Sequence, residues 1–312
     1  MIFTVTLNTS VDHALFLEEL RLGDTNRVTR TETDAGGKGV NLARVAAEMG
    51  ASAVATGFAG GGPGAFIRHV LETQGVQHEF VETAGETRTN FSVEDATGAP
   101  PTTFNARGPQ IAPGELEALW LKCRTLASGA RWVAMGGSIP PGVPEDIYRG
   151  LTTVFREESC RVVVDSDGEP MRMALEARPC LCKPNAREAS RLLGWPVVSV
   201  EDAIPAAREI REMQGGGDAM TIVSMGADGA VLASAEGVLV GISPKVETRS
   251  SIGSGDSLLG AFLWALEDGR PLEEAFRWGL AAGAATATTN GAEIARRPAV
   301  EALFPQAIVR GA

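Results

Sequence analysis

Apolar residues along the chain keep two rhythms that trade places at short intervals. Short, mostly apolar runs at 2–7, 53–58, 131–136, 161–165 and 220–224 predict strands. Between them, apolar positions recur every third or fourth residue over 38–49, 64–74, 114–127, 144–157, 186–194, 201–213, 256–268 and 272–289, which predicts amphipathic helices. Strands as continuously apolar as Arg161-Val-Val-Val-Asp165 suit a parallel sheet covered on both faces. The alternation predicts an α/β fold with a mostly parallel central sheet, whose ligands lie beyond the carboxyl ends of the strands.

Residues 12–34 and 86–106 break the rhythm: they read as extended strands with polar turns and no helix between them. They predict a small β-sheet lid assembled from two insertions. A sheet that small is not stable alone, so its apolar residues, among them Leu15, Leu17, Phe91 and Val93, predict packing against a second copy of the chain. No repeat, low-complexity linker or domain boundary is evident, and the chain reads as one domain over residues 1–312.

Composition narrows the class. A hydrophobic content of 44% supports a large core, and the net charge of -11 argues against nucleic acid as a partner. No run is long and apolar enough to predict a membrane span, and no basic segment precedes the first strand, so a cytoplasmic protein is expected. The four cysteines read as buried thiols, and the three histidines are too scattered for a metal cluster. Of only four lysines, Lys38 and Lys183 lie inside Gly- or Pro-marked motifs.

Those motifs carry the chemistry. Gly253-Ser254-Gly255-Asp256 opens an apolar helix, where glycines let the backbone approach a ligand and free N–H groups attract an anion. Asp256 at that mouth reads either as a helix cap or as a general base. Asp12 follows the first strand and suits sugar hydroxyls, or is an ordinary turn residue. Gly36-Gly37-Lys38-Gly39-Val40-Asn41 opens another helix, offering close backbone approach, a cation for phosphate and an amide for hydroxyls. Arg27 and Arg88 are cations in the two lid segments. Met135-Gly-Gly-Ser138-Ile-Pro-Pro-Gly142 reads as a shaped binding loop. Asn185 and Glu188 share a helix face, where they either hold water around a cation or form a capping box. Ser224-Met-Gly226-Ala227-Asp228-Gly229 ends a strand with a turn able to wrap a nucleotide. Neither a Rossmann glycine fingerprint nor a Walker A pattern is present.

Taken in order, Asp12, Gly36-Gly37-Lys38-Gly39 with Asn41, Gly137-Ser138-Ile-Pro-Pro-Gly142, Lys183-Pro-Asn185 with Glu188, Ser224-x-Gly226-x-x-Gly229 and Gly253-Ser-Gly-Asp256 resemble the PfkB carbohydrate kinases over almost the whole chain. The resemblance implies a ribokinase-like three-layer fold and transfer of the ATP γ-phosphoryl group to a sugar hydroxyl. It makes Asp256 the base and residues 253–255 the anion hole. Lys183, Asn185, Ser224, Gly226, Ala227, Asp228 and Gly229, with Gly253 and Gly255, would line the ATP site, and Asn185 and Glu188 would organise Mg²⁺ through water. The start Thr6-Leu-Asn8-Thr-Ser-Val-Asp12, together with Gly85-Glu-Thr-Arg88 and Phe104-Asn-Ala-Arg-Gly-Pro109, looks most like the branch acting on phosphorylated hexoses. Thr9, Gly136 and Ser254 depart from that branch's usual residues. The resemblance implies fructose 1-phosphate as acceptor, with tagatose 6-phosphate or fructose 6-phosphate as alternatives, bound by Asp12, Arg27, Gly36, Gly37, Lys38, Asn41, Arg88 and Ser138. A non-catalytic sugar-phosphate sensor is the reading from another class.

Overall fold

Strand β1 (Ile2–Thr6) runs through the middle of the main sheet, and its odd and even positions feed two different cores. The computed structural model describes residues 1–97 and 101–312; residues 98–100 of the second lid segment lie outside the described residues. After β1 come β2 (Ser10–Leu17), β3 (Arg30–Gly36), α1 (Lys38–Glu48), β4 (Ala53–Ala59), α2 (Gly61–Thr73), β5 (Gln77–His78), β6 (Val81–Glu82), β7 (Arg88–Asp95) and β8 (Thr102–Phe104). The second half holds α3 (Pro113–Ala127), β9 (Trp132–Gly136), α4 (Ile147–Glu157), β10 (Arg161–Asp165), α5 (Gly168–Glu176), β11 (Leu181–Cys182), α6 (Ala186–Leu193), α7 (Val200–Met213) and β12 (Met220–Ser224). It finishes with β13 (Ala230–Ser234), β14 (Gly237–Ile242), α8 (Ser254–Glu267), α9 (Leu272–Ala287), α10 (Arg297–Leu303) and β15 (Ile308–Gly311).

The main sheet has 11 strands in the order β15-β14-β13-β12-β11-β10-β9-β1-β4-β5, with β6 also on β4. It is parallel from β12 to β5 and antiparallel at the β13–β15 edge. Because side chains alternate along a strand, Val163 joins the core under α1, α8 and α9, while Val162 and Val164 join the core under α3, α4 and α7. At the carboxyl end of β1, a Cβ on Gly57 would lie 1.8 Å from the carbonyl oxygen of Thr6, so only glycine lets β4 lie in this register beside β1.

All five expected strands and all eight expected helices are present, with ends displaced by a few residues. Helix α2 starts at Gly61, earlier than expected, and α4 starts at Ile147, later than expected, because Pro144 heads a turn whose carbonyl accepts from the Ile147 N–H. The pattern missed α5, α10, the two-residue strands β5, β6 and β11, and the β13–β15 edge, which are short or rely on hairpin pairing.

The two insertions do form one separate sheet, in the order β3-β2-β7-β8. In its register Asp12 faces Asn90 across the β2–β7 pair, and Phe91 lies beside His13. Leu17 was expected to need a second copy of the chain. It is buried within the protomer, at 7% exposure, so it requires no such cover. Leu15 and Val93 are half-buried, while Phe91 is exposed.

Candidate active site

Helix α8 begins directly after Gly253, which holds a left-handed φ of 74° and serves as its N-cap. No acceptor among the described residues takes the N–H groups of Gly253, Gly255 or Asp256, whereas that of Ser254 reaches Ser251 O at 3.4 Å. A cluster of N–H groups at the positive end of a helix is a place for an anion. A Cβ on Gly255 would come within 3.0 Å of Lys183 Nζ, so the missing side chain lets that ammonium lie against the turn.

Asp256 stands in the first turn of α8 and caps nothing with its side chain. Its Oδ2 accepts from Asn41 Nδ2 at 2.9 Å, and Asn41 Oδ1 is buried with no partner among the described residues. Burial, and after it the charge of Asp165, push the Asp256 carboxyl up to about 6 against the pull of Lys38, Asn41 and Lys183. A carboxylate tuned upward in this way is suited to accept a proton near neutral pH.

Lys38, at the first position of α1, reaches Asp165 Oδ1 at 2.6 Å and lies 3.9 Å from Glu188 Oε1. Lys183, 4% exposed, reaches the other oxygen, Oδ2, at 3.0 Å. Burial favours the neutral forms of Lys38 and Asp165, and the surrounding charges override it: Asp165 and then Glu188 hold the ammonium above its usual range, and Lys183 and then Lys38 hold the Asp165 carboxyl below its own. Asn185 caps α6: its Oδ1 accepts from Glu188 N at 3.0 Å while Glu188 Oε2 accepts from Asn185 N at 2.8 Å. The capping box therefore exists. These hard oxygen donors, open on one side to a cleft, also fit a magnesium ion held through water.

Two clefts meet here. One, of about 720 Å³, is lined by Lys183, Asn185, Ser224, the Gly226–Gly229 turn, Lys245 and Ala284. The other, of about 640 Å³, is lined by Asn8, Arg88, Asn105, Arg107 and Ser138. Lys38 and Glu188 border both, and Ser254, Gly255 and Asp256 border the first. Arg88 donates to Ala106 O at 2.8 Å and Asn8 O at 3.1 Å, and its buried Nε has no acceptor among the described residues. Ser138 accepts from Asn8 Nδ2 at 3.0 Å. Asp12 Oδ1 accepts from Asn90 at 2.8 Å and borders a third, neighbouring hollow beneath the lid, which Asn105 shares with the Arg88 cleft.

Gly36 and Gly37 lie where a Cβ would strike Asp12 and Thr6, so the α1 turn is pressed onto β1 and β2. Arg27 is exposed in the loop after β2 and borders none of these clefts within the protomer. Sequence reasoning assigned no role to Asp165, Asn8, Asn90, Arg107 or Lys245. Asp165 carried a readable signal in its place at the carboxyl end of an apolar strand. All four cysteines are free, and no group of three or more His, Cys, Asp or Glu among the described residues forms a metal cluster. No helix among the described residues is long and apolar enough to cross a membrane.

Known proteins resemble the chain over almost its whole length. The family model described as pfkB family carbohydrate kinase matches residues 5–299. The 1-phosphofructokinase of Bacillus subtilis is 36% identical over 306 residues, covering 98% of each chain. That of Borreliella burgdorferi is 34% identical over 288 residues, covering 92% of each. Among solved structures, phosphofructokinase-2 from Escherichia coli in complex with fructose-6-phosphate superimposes with a TM-score of 0.88 at 30% identity, covering 98% of each chain.

Proposed function

The chain belongs to the pfkB family of carbohydrate kinases, and from that footing we propose that it transfers the γ-phosphoryl group of ATP to fructose 1-phosphate, yielding fructose 1,6-bisphosphate. The observation that carries the reading is the place of Asp256. It is a carboxylate tuned to about 6 at an open helix N-terminus, on the border of a cleft that Lys38 shares with a second one.

ATP occupies the cleft of Lys183 and the Gly226–Gly229 turn, with its γ-phosphate against the α8 N–H groups. The acceptor lies under the lid. Its own phosphate is met by Arg88, whose unpartnered buried Nε–H wants an acceptor, and its hydroxyls by Asp12, Asn41 and Ser138. Asp256 removes the proton from the attacking hydroxyl as the oxygen approaches phosphorus in line. The N–H groups, Lys38 and Lys183 hold the charge spread over the transferring group. Asn185 and Glu188 would hold Mg²⁺ through water, and the ion would neutralise phosphate charge. The lid keeps water from the reacting phosphate.

A homodimer through the lid is supported by Phe91 and Phe104. They are paired across β7 and β8 and stand 42% and 57% exposed, an apolar patch on the lid sheet that a second copy would cover. ATP as donor is consistent with a cytoplasmic location. Fructose 6-phosphate is the second reading for the acceptor, favoured by the likeness to the Escherichia coli phosphofructokinase-2 structure that holds it. Coupled ADP release with fructose 1-phosphate, fructose 6-phosphate, tagatose 6-phosphate and free fructose tests the assignment. The highest kcat/KM is expected with fructose 1-phosphate, and no ADP release with any of the four would leave only a sensor.

A further inference from the structure

Asp165 sits at the carboxyl end of β10 and lines a small pocket with Asp256 and Lys38, the lysine that borders both clefts. Its two carboxylate oxygens take two different lysines: Oδ1 takes Lys38 from α1, and Oδ2 takes Lys183 from the end of β11. The residue is 4% exposed, and its backbone is locked as well. Its carbonyl accepts from the Gly137 N–H at 2.9 Å, and a Cβ on Gly136 would lie 2.1 Å from that oxygen. A lysine arm has four rotatable carbons and on its own holds its charge in no fixed place. Here both ammonium groups are fastened to one rigid strand end.

Resting on the phosphotransfer reading, we propose that Asp165 is the positioning residue of a two-lysine clamp. It holds Lys38 and Lys183 one on each side of the phosphoryl group in transit, so that their charges are aimed before the reaction begins. Preorganised charge assists a transition state more than mobile charge, because nothing has to be reoriented when the phosphoryl group moves. The same geometry predicts which step suffers when the carboxylate is lost. In Asp165→Asn the lysines remain cationic and are released to follow a ground-state phosphate, so nucleotide binding survives while turnover does not.

The test compares wild type, Asp165→Asn, Asp165→Glu, Lys38→Met and the double variant Asp165→Asn/Lys38→Met in steady-state turnover, with AMP-PNP binding measured by calorimetry. The expected result for Asp165→Asn is a kcat lower by about 10²-fold or more, the size typical of losing one preorganised electrostatic group. KM for ATP should not rise and AMP-PNP should bind as tightly as before or tighter. Asp165→Glu, which keeps the charge, should recover part of kcat. Adding Asp165→Asn to Lys38→Met should cost far less than adding it to wild type, because groups that act as a unit are not additive. The double variant leaves one ammonium without its Asp165 partner, that of Lys183, instead of two, and its comparison with Lys38→Met still judges the clamp if Asp165→Asn alone folds poorly.

A kcat within about threefold of wild type in Asp165→Asn, weakened AMP-PNP binding, or fully additive costs would each overturn the clamp. Failure of wild type itself to turn over any phosphorylated hexose would instead overturn the phosphotransfer reading, and the AMP-PNP arm would still judge Asp165.

Discussion

Asn41 and Asp256 are 215 residues apart in sequence, and Nδ2 of the first lies 2.9 Å from Oδ2 of the second. The bond fixes the carboxylate at the mouth of α8 from a different helix, α1, which packs along α8 through the Leu42 to Val45 stretch against Gly260. One carboxylate oxygen is thereby committed to the fold, and the other remains for the acceptor hydroxyl.

Replacing the base tests this division directly. Asp256→Asn preserves shape, and because the aspartate side chain makes no capping bond, helix stability has little to lose. The expected outcome is a kcat reduced by the ~10² to 10⁴ typical of a general base, with melting temperature and ATP affinity retained. A variant keeping more than about a tenth of wild-type kcat would remove Asp256 from the mechanism.

The pH profile of kcat follows from the same group. The base works only when ionised, so activity should be full at neutral pH and fall as pH drops through about 6, the value to which burial and Asp165 raise it. Steady-state rates from acid to neutral pH, at saturating substrates and with the fold checked at each pH, measure the limb. A limb near the ordinary aspartate range of about 4 would contradict the buried environment described for Asp256.

Arg88→Ala should act on one substrate only. The side chain borders the lid cleft and not the cleft of Lys183, and it ties Asn8 to Ala106. Loss of a charge-assisted contact costs about 1.5 to 3 kcal/mol, which corresponds to an acceptor KM raised roughly 10- to 150-fold. KM for ATP should stay near wild type. Equal changes in both constants would mean that the two clefts do not divide the substrates as proposed.

The lid predicts its own assembly state. Phe91→Asp places a charge beside Phe104 on the lid sheet, where the Phe91 ring also stacks on His13. Light scattering at micromolar concentration should give a dimer for the wild type and a monomer for the variant. An unchanged mass would move the interface elsewhere.

How much of this was readable from the chain differs from one group to another. Apolar rhythm alone gave β1, β9, β10, β12, α1, α6 and α8 around the site, because burial on a parallel sheet demands continuous apolar strands and its covering helices demand one apolar face. Gly253-Ser-Gly-Asp256 and Asn185 with Glu188 were legible because their chemistry is local: a turn and the helix it opens lie within a few residues of one another. Leu17 was misjudged, since alternation along β2 gives the face of the sheet and not what the protomer lays over that face.

Asp165 is the clearest case of what only the tertiary structure decided. In sequence it is one more acidic residue after an apolar strand, 127 residues from Lys38. The parallel register of β9, β10 and β11 brings the strand ends together at the carboxyl edge of the sheet, so Lys183 and Asp165 meet there with the start of α1. The same assembly supplies the low dielectric that raises Asp256 and the neighbouring charges that lower Asp165. Composition and spacing determine which groups are available and which elements carry them. Distances between groups far apart in sequence, and the charge states those distances impose, exist only once the sheet has closed around them.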